Sequence, residues 1–129
     1  MKIALLTDTH FGARNDSPAF SKYFFKFYDE VFFPYLKENN ITTLIHLGDI
    51  VDRRKFINFK TSHDFRKNFM MRLWKEKIDT HIIIGNHDTY YKNTNEVNAM
   101  QNLDISKDAK VSCSSCPCDC FITIRTTFN

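Results

Sequence analysis

Thr42-Thr43-Leu44-Ile45-His46-Leu47-Gly48-Asp49-Ile50-Val51-Asp52 is a β-branched, apolar run that breaks at a glycine and two spaced carboxylates. Its length and content are those of a buried strand, with a polar cluster at the carboxyl end. The pattern occurs twice more. Lys2-Ile3-Ala4-Leu5-Leu6 runs into Thr7-Asp8-Thr9-His10, and His81-Ile82-Ile83-Ile84 runs into Gly85-Asn86-His87-Asp88.

Two helical patterns separate the three strands. The polar stretch from Thr9 to Asp16 reads as a loop. Ser17-Pro18 then reads as a helix start, with serine as cap and proline at the first helical position. Phe20, Phe24, Phe27, Val31 and Tyr35 follow at intervals of three or four, widened by Tyr23, Phe32 and Leu36. This predicts a helix of about 20 residues that buries a broad face and ends at Asn39-Asn40. From Thr61 to Glu76, Phe65, Phe69, Met70 and Leu73 repeat the spacing, and Thr61 with Asp64 forms a weak capping box. A short helix is expected from Asn95 to Leu103, started by Thr94. Strand, helix, strand, helix, strand implies an α/β fold with parallel strands and helical crossovers. Such a sheet gathers the three polar clusters at the carboxyl ends of its strands, where ligands bind.

Those clusters offer carboxylate oxygen, imidazole nitrogen and amide oxygen, which suit hard or borderline divalent metals, and no thiolate, which argues against structural zinc. Asp8 and His10, two apart in a loop, can reach one ion. Asp49 has two oxygens and can bridge two ions; Asn86 can give a neutral oxygen to the second. Two ions roughly 3.5–4 Å apart clamp the attacking and leaving oxygens of phosphoryl transfer and turn a bound water into the hydroxide nucleophile. His87 can meet a phosphate oxygen or protonate the leaving group. Asp88 can orient the His87 ring or organise the loop.

Asp8-Thr9-His10-Phe11-Gly12, Gly48-Asp49-Ile50-Val51-Asp52 and Gly85-Asn86-His87-Asp88 resemble, in that order, the first three motifs of the calcineurin-like metallophosphoesterases. Gly12 and the Asp49-to-Asp52 spacing resemble the branch of DNA double-strand-break repair nucleases and phage recombination endonucleases. The likeness covers residues 1 to about 103. It implies a metallophosphoesterase sandwich with metal ligands Asp8, His10, Asp49 (shared) and Asn86, and His87 as the catalytic histidine. Asp52 and Asp88 would support them. It further implies two divalent ions, manganese by preference, and exonuclease and endonuclease action on DNA. A homodimer built through segment 20–36 and a coiled-coil ATPase partner subunit are also implied.

The chain departs from that pattern. Family members continue past these motifs to further histidines that complete both metal shells, and no histidine follows His87 here. The expectation is therefore a truncated sandwich with an incomplete site. Residues 1–105 read as the amino-terminal half of the domain. Residues 106–129 hold all four cysteines, Cys113, Cys116, Cys118 and Cys120, and read as an atypical tail from a non-native reading frame. A divergent strand pair, with alternation from Phe121 to Thr127, is the other reading. Four thiols crowded into eight residues lack the two separated pairs that zinc sites gather.

Other residues carry less. Arg53, Arg54 and Lys55 follow the second cluster and read either as a phosphate-backbone contact or as a solvated basic loop. His46 is expected inside the strand layer, His63 and His81 on the surface or at a helix start, and Trp74, Met70 and Met71 in core or interface. The 129 residues carry a formal charge of +3, 43% hydrophobic residues and 13 phenylalanines. That balance excludes a disordered chain. No signal peptide or membrane span is read, so a cytoplasmic protein is expected, in the host cytoplasm if viral. Two alternatives to the nuclease remain: a phosphatase of the same scaffold acting on small or protein phosphate esters, and a non-catalytic dimerising remnant.

Overall fold

The computed structural model describes residues 1–91, 97–103, 110–111 and 121–125. Three strands are parallel: β1 (Ala4–Leu6), β2 (Thr43–His46) and β3 (Asp79–Ile83). β2 lies between the other two, with Leu5 opposite Ile45 and Ile45 opposite His81. The expected α/β order and helical crossovers are present. Two further strands, β4 (Lys110–Val111) and β5 (Phe121–Arg125), extend the sheet in the order β1-β2-β3-β5-β4, and both of their pairings are antiparallel. The four cysteines lie outside the described residues.

The first crossover, α1, joins Pro18–Phe27, a π-helical turn Tyr28–Phe32 and Phe33–Glu38. The wide turn has a local reason. Pro34 has no N–H to donate, and its ring would crowd the carbonyl four residues earlier. Just before it, Phe33 N–H bonds back five residues to Tyr28 O, which is how a helix absorbs an extra residue. Ser17 makes no side-chain cap; Pro18 alone marks the start. The helix ends where expected, with Asn39 Nδ2 donating to Tyr35 O at 3.0 Å.

The second crossover, α2, joins Phe59–Phe65, a π-helical turn Arg66–Met70 and Met71–Lys75. It starts two residues before the expected Thr61. Asn58 is the cap, its Oδ1 accepting from Lys60 N at 2.8 Å. Thr61 instead donates to Asp16 Oδ1 at 2.6 Å, and Asp64 pairs with Lys60. A last turn, α3 (Ala99–Asn102), follows Asn98, whose Oδ1 accepts from Met100 N at 3.1 Å. The expected start at Thr94 lies outside the described residues.

One face of the sheet is sealed. Leu44, His46, Thr80 and Ile82 are buried, and aromatic rings from α1 and α2 fill the main core. Tyr28 and Phe69 meet at 5.1 Å between centroids, and Phe11 and Phe65 at 4.7 Å. Phe11 belongs to the loop after β1, so the core anchors that loop directly.

The expected α1 stripe divides differently. Phe20, Tyr23, Phe27, Val31 and Tyr35 are exposed, whereas Tyr28, Phe33 and Leu36 are buried. The helix has two apolar sides and only one can face the sheet. The π turn also shifts the phase between them.

Candidate metal centre

The loops after β1 and β2 run alongside each other as a continuation of the parallel ladder. Asp8 N–H donates to Gly48 O (3.2 Å), His10 N–H to Asp49 O (3.1 Å) and Phe11 N–H to Ile50 O (2.7 Å). This pairing holds three side chains in left-handed backbone: Asp8 at φ 53°, His10 at φ 41° and Asp49 at φ 54°. Such a conformation costs of order 1 kcal/mol per non-glycine residue and gathers at functional sites. Here it turns three side chains toward one point. One ligand atom each from Asp8, His10 and Asp49 lies within 4.8 Å of the others, a donor set of two carboxylates and an imidazole that fits a divalent ion.

His10 is held between two carboxylates. Its Nε2 is 3.5 Å from Asp8 Oδ1 and its Nδ1 is 3.6 Å from Asp52 Oδ1. Both separations exceed a hydrogen bond, and Nδ1 is buried without a partner among the described residues. With Nε2 on the Asp8 side, Nδ1 points toward Asp52 without a hydrogen bond to it.

The loop after β3 is fastened by Asp88. Its Oδ1 accepts from Ile50 N–H (2.8 Å) and Val51 N–H (3.1 Å), and its Oδ2 from Gly85 N–H (2.9 Å). Burial raises the Asp88 pKa, while these backbone donors pull it down. Asp88 thus organises the loop and leaves the His87 ring to another group. His87 Nδ1 lies 2.8 Å from the Asp52 carbonyl oxygen. A carbonyl only accepts, so Nδ1 carries the proton and Nε2 is the free end of the ring. His87 N–H donates to Asp49 Oδ1 at 2.8 Å, and the His87 ring stands edge-on to that of His10 with centroids 5.1 Å apart.

Asn86 sits beside Asp49. The local network is satisfied with Asn86 Nδ2 donating to both Asp49 carboxylate oxygens (3.1 Å each) and Oδ1 accepting from Arg54 Nη2 (3.2 Å). An ion shared with Asp49 would call for the opposite orientation of the amide. Arg53 turns the other way, to Asp16 Oδ2 (3.1 Å) and Asn15 Oδ1 (2.5 Å), while Lys55 is exposed.

His46 has a part that spacing did not reveal. It is fully buried beneath the loops, its Nδ1 accepting from Gly48 N–H (3.1 Å) and its Nε2 lying 3.1 Å from Thr9 Oγ1. Thr9 Oγ1–H donates to Ile50 O (3.2 Å), so Nε2–H is the donor to threonine. The neutral ring ties both metal-facing loops to β2. Burial drives its pKa down to about 4, against the pull of Asp8 and Asp49. A histidine two residues before a strand-end glycine is the only trace of this in the sequence. Asp8, by contrast, is exposed, and its pKa is lowered first by a hydrogen bond from Thr7.

Three parallel strands thus bring Asp8, His10 and Asp49 together at their carboxyl ends as a candidate metal site. The chain matches the calcineurin-like phosphoesterase family over residues 1–122 and belongs to it. Exonuclease subunit 1 of Enterobacteria phage T4 is 45% identical over 69 residues, which are 54% of this chain and 20% of that protein. The match therefore spans about a fifth of the relative's length. Among the described residues, no helix is long and apolar enough to cross a membrane.

Proposed function

We propose that this chain carries the amino-terminal metal ligands and the catalytic histidine of a metal-dependent phosphodiesterase acting on DNA, as an exonuclease and endonuclease subunit in recombination and repair. The observation that carries this reading is the convergence of Asp8, His10 and Asp49 on one point. Membership of the phosphoesterase family and the likeness to a phage exonuclease subunit support the choice of substrate.

Asp8, His10 and Asp49 would hold one divalent ion, and Asp49 with Asn86 a second, manganese being the preferred metal. When bound, such ions supply charge stabilisation for the phosphate and a water acidic enough to attack near neutral pH. The remaining work falls to side chains. Asp52 would support the His10 ring from the Nδ1 side when an ion is bound. Its carbonyl fixes the proton of His87 on Nδ1, which leaves Nε2 to hold or release a proton at the leaving oxygen. Arg54 and Lys55 neutralise strand phosphates without reading sequence. A homodimer through the exposed α1 stripe, with a coiled-coil ATPase as second partner, completes the proposal.

The test is cleavage of end-labelled duplex and of circular single-stranded DNA by the full chain, in Mn2+ and in EDTA. Mn2+-dependent cleavage that His87→Ala abolishes supports the reading. Turnover of small phosphate monoesters with DNA left intact would move the assignment to a phosphatase. A second reading, the non-catalytic dimerising remnant, is favoured by one observation: in the orientation that satisfies its hydrogen bonds, Asn86 turns its Nδ2, not its oxygen, toward the Asp49 carboxylate. It requires that no phosphoester be turned over with any metal.

A further inference from the structure

Beside the metal centre, the segment between β2 and α2 and the start of α2 border a cavity of about 260 Å³. Arg53, Arg54 and Lys55 line it together with Phe56, Phe59 and Tyr90, and among the described residues no carboxylate does. We propose that this cavity is a subsite for one unpaired nucleotide of a DNA strand, whose base stacks on the aromatic wall while its phosphates meet Arg54 and Lys55. The proposal rests on the phosphodiesterase reading above and deepens it.

The aromatic side chains are the first argument. Phe56 is 60% exposed, Phe59 95% and Tyr90 40%. Three rings left in water around one small cavity cost burial free energy that a core would have recovered, and such clusters mark binding surfaces. Rings interleaved with cations bind single strands without sequence preference, because every base has a stackable face. A base inside a duplex is already stacked on both sides. The cavity is also near the lower end of small-ligand pockets, about 300 Å³, which suits one base and not a base pair.

The wall is held in place. Arg53 lies over the Phe56 ring at 4.8 Å while bound to Asp16 and Asn15, so it braces the ring from one side. Phe59 opens α2, directly after the capping Asn58. Tyr90 N–H donates to Val97 O at 2.9 Å. Arg54 links the cavity to the metal centre, its Nη2 lying 3.2 Å from the Asn86 amide.

The test uses the full chain in EDTA and a short single-stranded oligodeoxynucleotide carrying 2-aminopurine in turn at each position. Binding should quench the probe at one position, and an abasic nucleotide there should weaken binding about tenfold. The double variant Phe56→Ala, Tyr90→Ala should lose both the quench and the abasic effect. Because both side chains are exposed, circular dichroism should match the wild type. A probe equally bright free and bound at every position overturns the proposal, as does a double variant that still distinguishes the abasic strand. Metal plays no part in this measurement. If the quench is present but Mn2+-dependent cleavage is absent, the phosphodiesterase reading fails and the subsite stands.

Discussion

Gly48 and Gly85 meet back to back: a Cβ built on Gly48 would lie 2.7 Å from both Cα and N of Gly85, and one built on Gly85 would run into the backbone N and Oδ1 of Asp49. The loops after β2 and β3 can share one site only because neither residue has a side chain. Gly48 also sits at φ 103°, a conformation open mainly to glycine. Gly85→Ala must push Asp49 aside. The expected loss of stability is about 3 kcal/mol, read by urea denaturation, together with weakened Mn2+ binding. An alanine variant of unchanged midpoint and metal affinity would show that the two loops are not in contact.

Asp88 should matter more to stability than its place next to a catalytic histidine suggests. Asp88→Ala leaves the buried backbone N–H groups of Ile50 and Val51 and the half-buried one of Gly85 without their acceptor. With about 1–3 kcal/mol for each buried unpaired group, a loss of at least about 2 kcal/mol is expected. Asp88→Asn keeps one oxygen and should lose less, because it sets an amide N–H2 against only one of the two sides. Equal stabilities of the two variants would contradict this division.

The buried His46 makes the fold acid-sensitive. Its pKa is about 4 in the folded protein against 6.5 as the ordinary value. Between those values the unfolded chain takes up a proton that the folded chain refuses. The stability from neutral His46 is therefore complete above pH 6.5 and is lost as pH falls toward 4. The span corresponds to about 3 kcal/mol. Denaturation midpoints at pH 7.5 and 4.5 should differ less for His46→Gln than for the wild type. The variant should also start lower, since its amide cannot reproduce both ring contacts.

On α1, Val31 and Tyr35 are 54% and 58% exposed along the outer stripe. If the stripe is the dimer interface, Val31→Glu with Tyr35→Glu should yield a monomer by sedimentation. Monomer stability should change by no more than about 0.5 kcal/mol. A wild-type chain that sediments as a monomer at micromolar concentration would remove the dimer from the account.

The strands, the two long crossovers and the grouping of Asp8, His10, Asp49, Asn86 and His87 were legible because each rests on a local signal: an apolar run, a helical period, a polar break at a strand end. What was hidden depends on partners distant in sequence. Asp88 reads the same whether it orients His87 or clamps Ile50, and only the fold decides. Of the expected α1 stripe, Leu36 is buried and Phe24 and Phe32 pack against the core, while Phe20, Tyr23, Phe27, Val31 and Tyr35 face out, because a helix with two apolar faces has no preferred one until it meets the sheet, and the π turn before Pro34 alters the phase. Arg53 reads with Arg54 and Lys55 as one basic run, but Asp16 and Asn15, far back in the chain, hold it.

Mn2+ titration of the full chain, followed by electron paramagnetic resonance, tests the central claim most directly. The account expects a saturable site that Asp49→Asn or His10→Ala abolishes and that Asp52→Asn weakens about 10- to 100-fold. Absence of saturable binding, or binding untouched by Asp49→Asn, would contradict a metal centre at Asp8, His10 and Asp49.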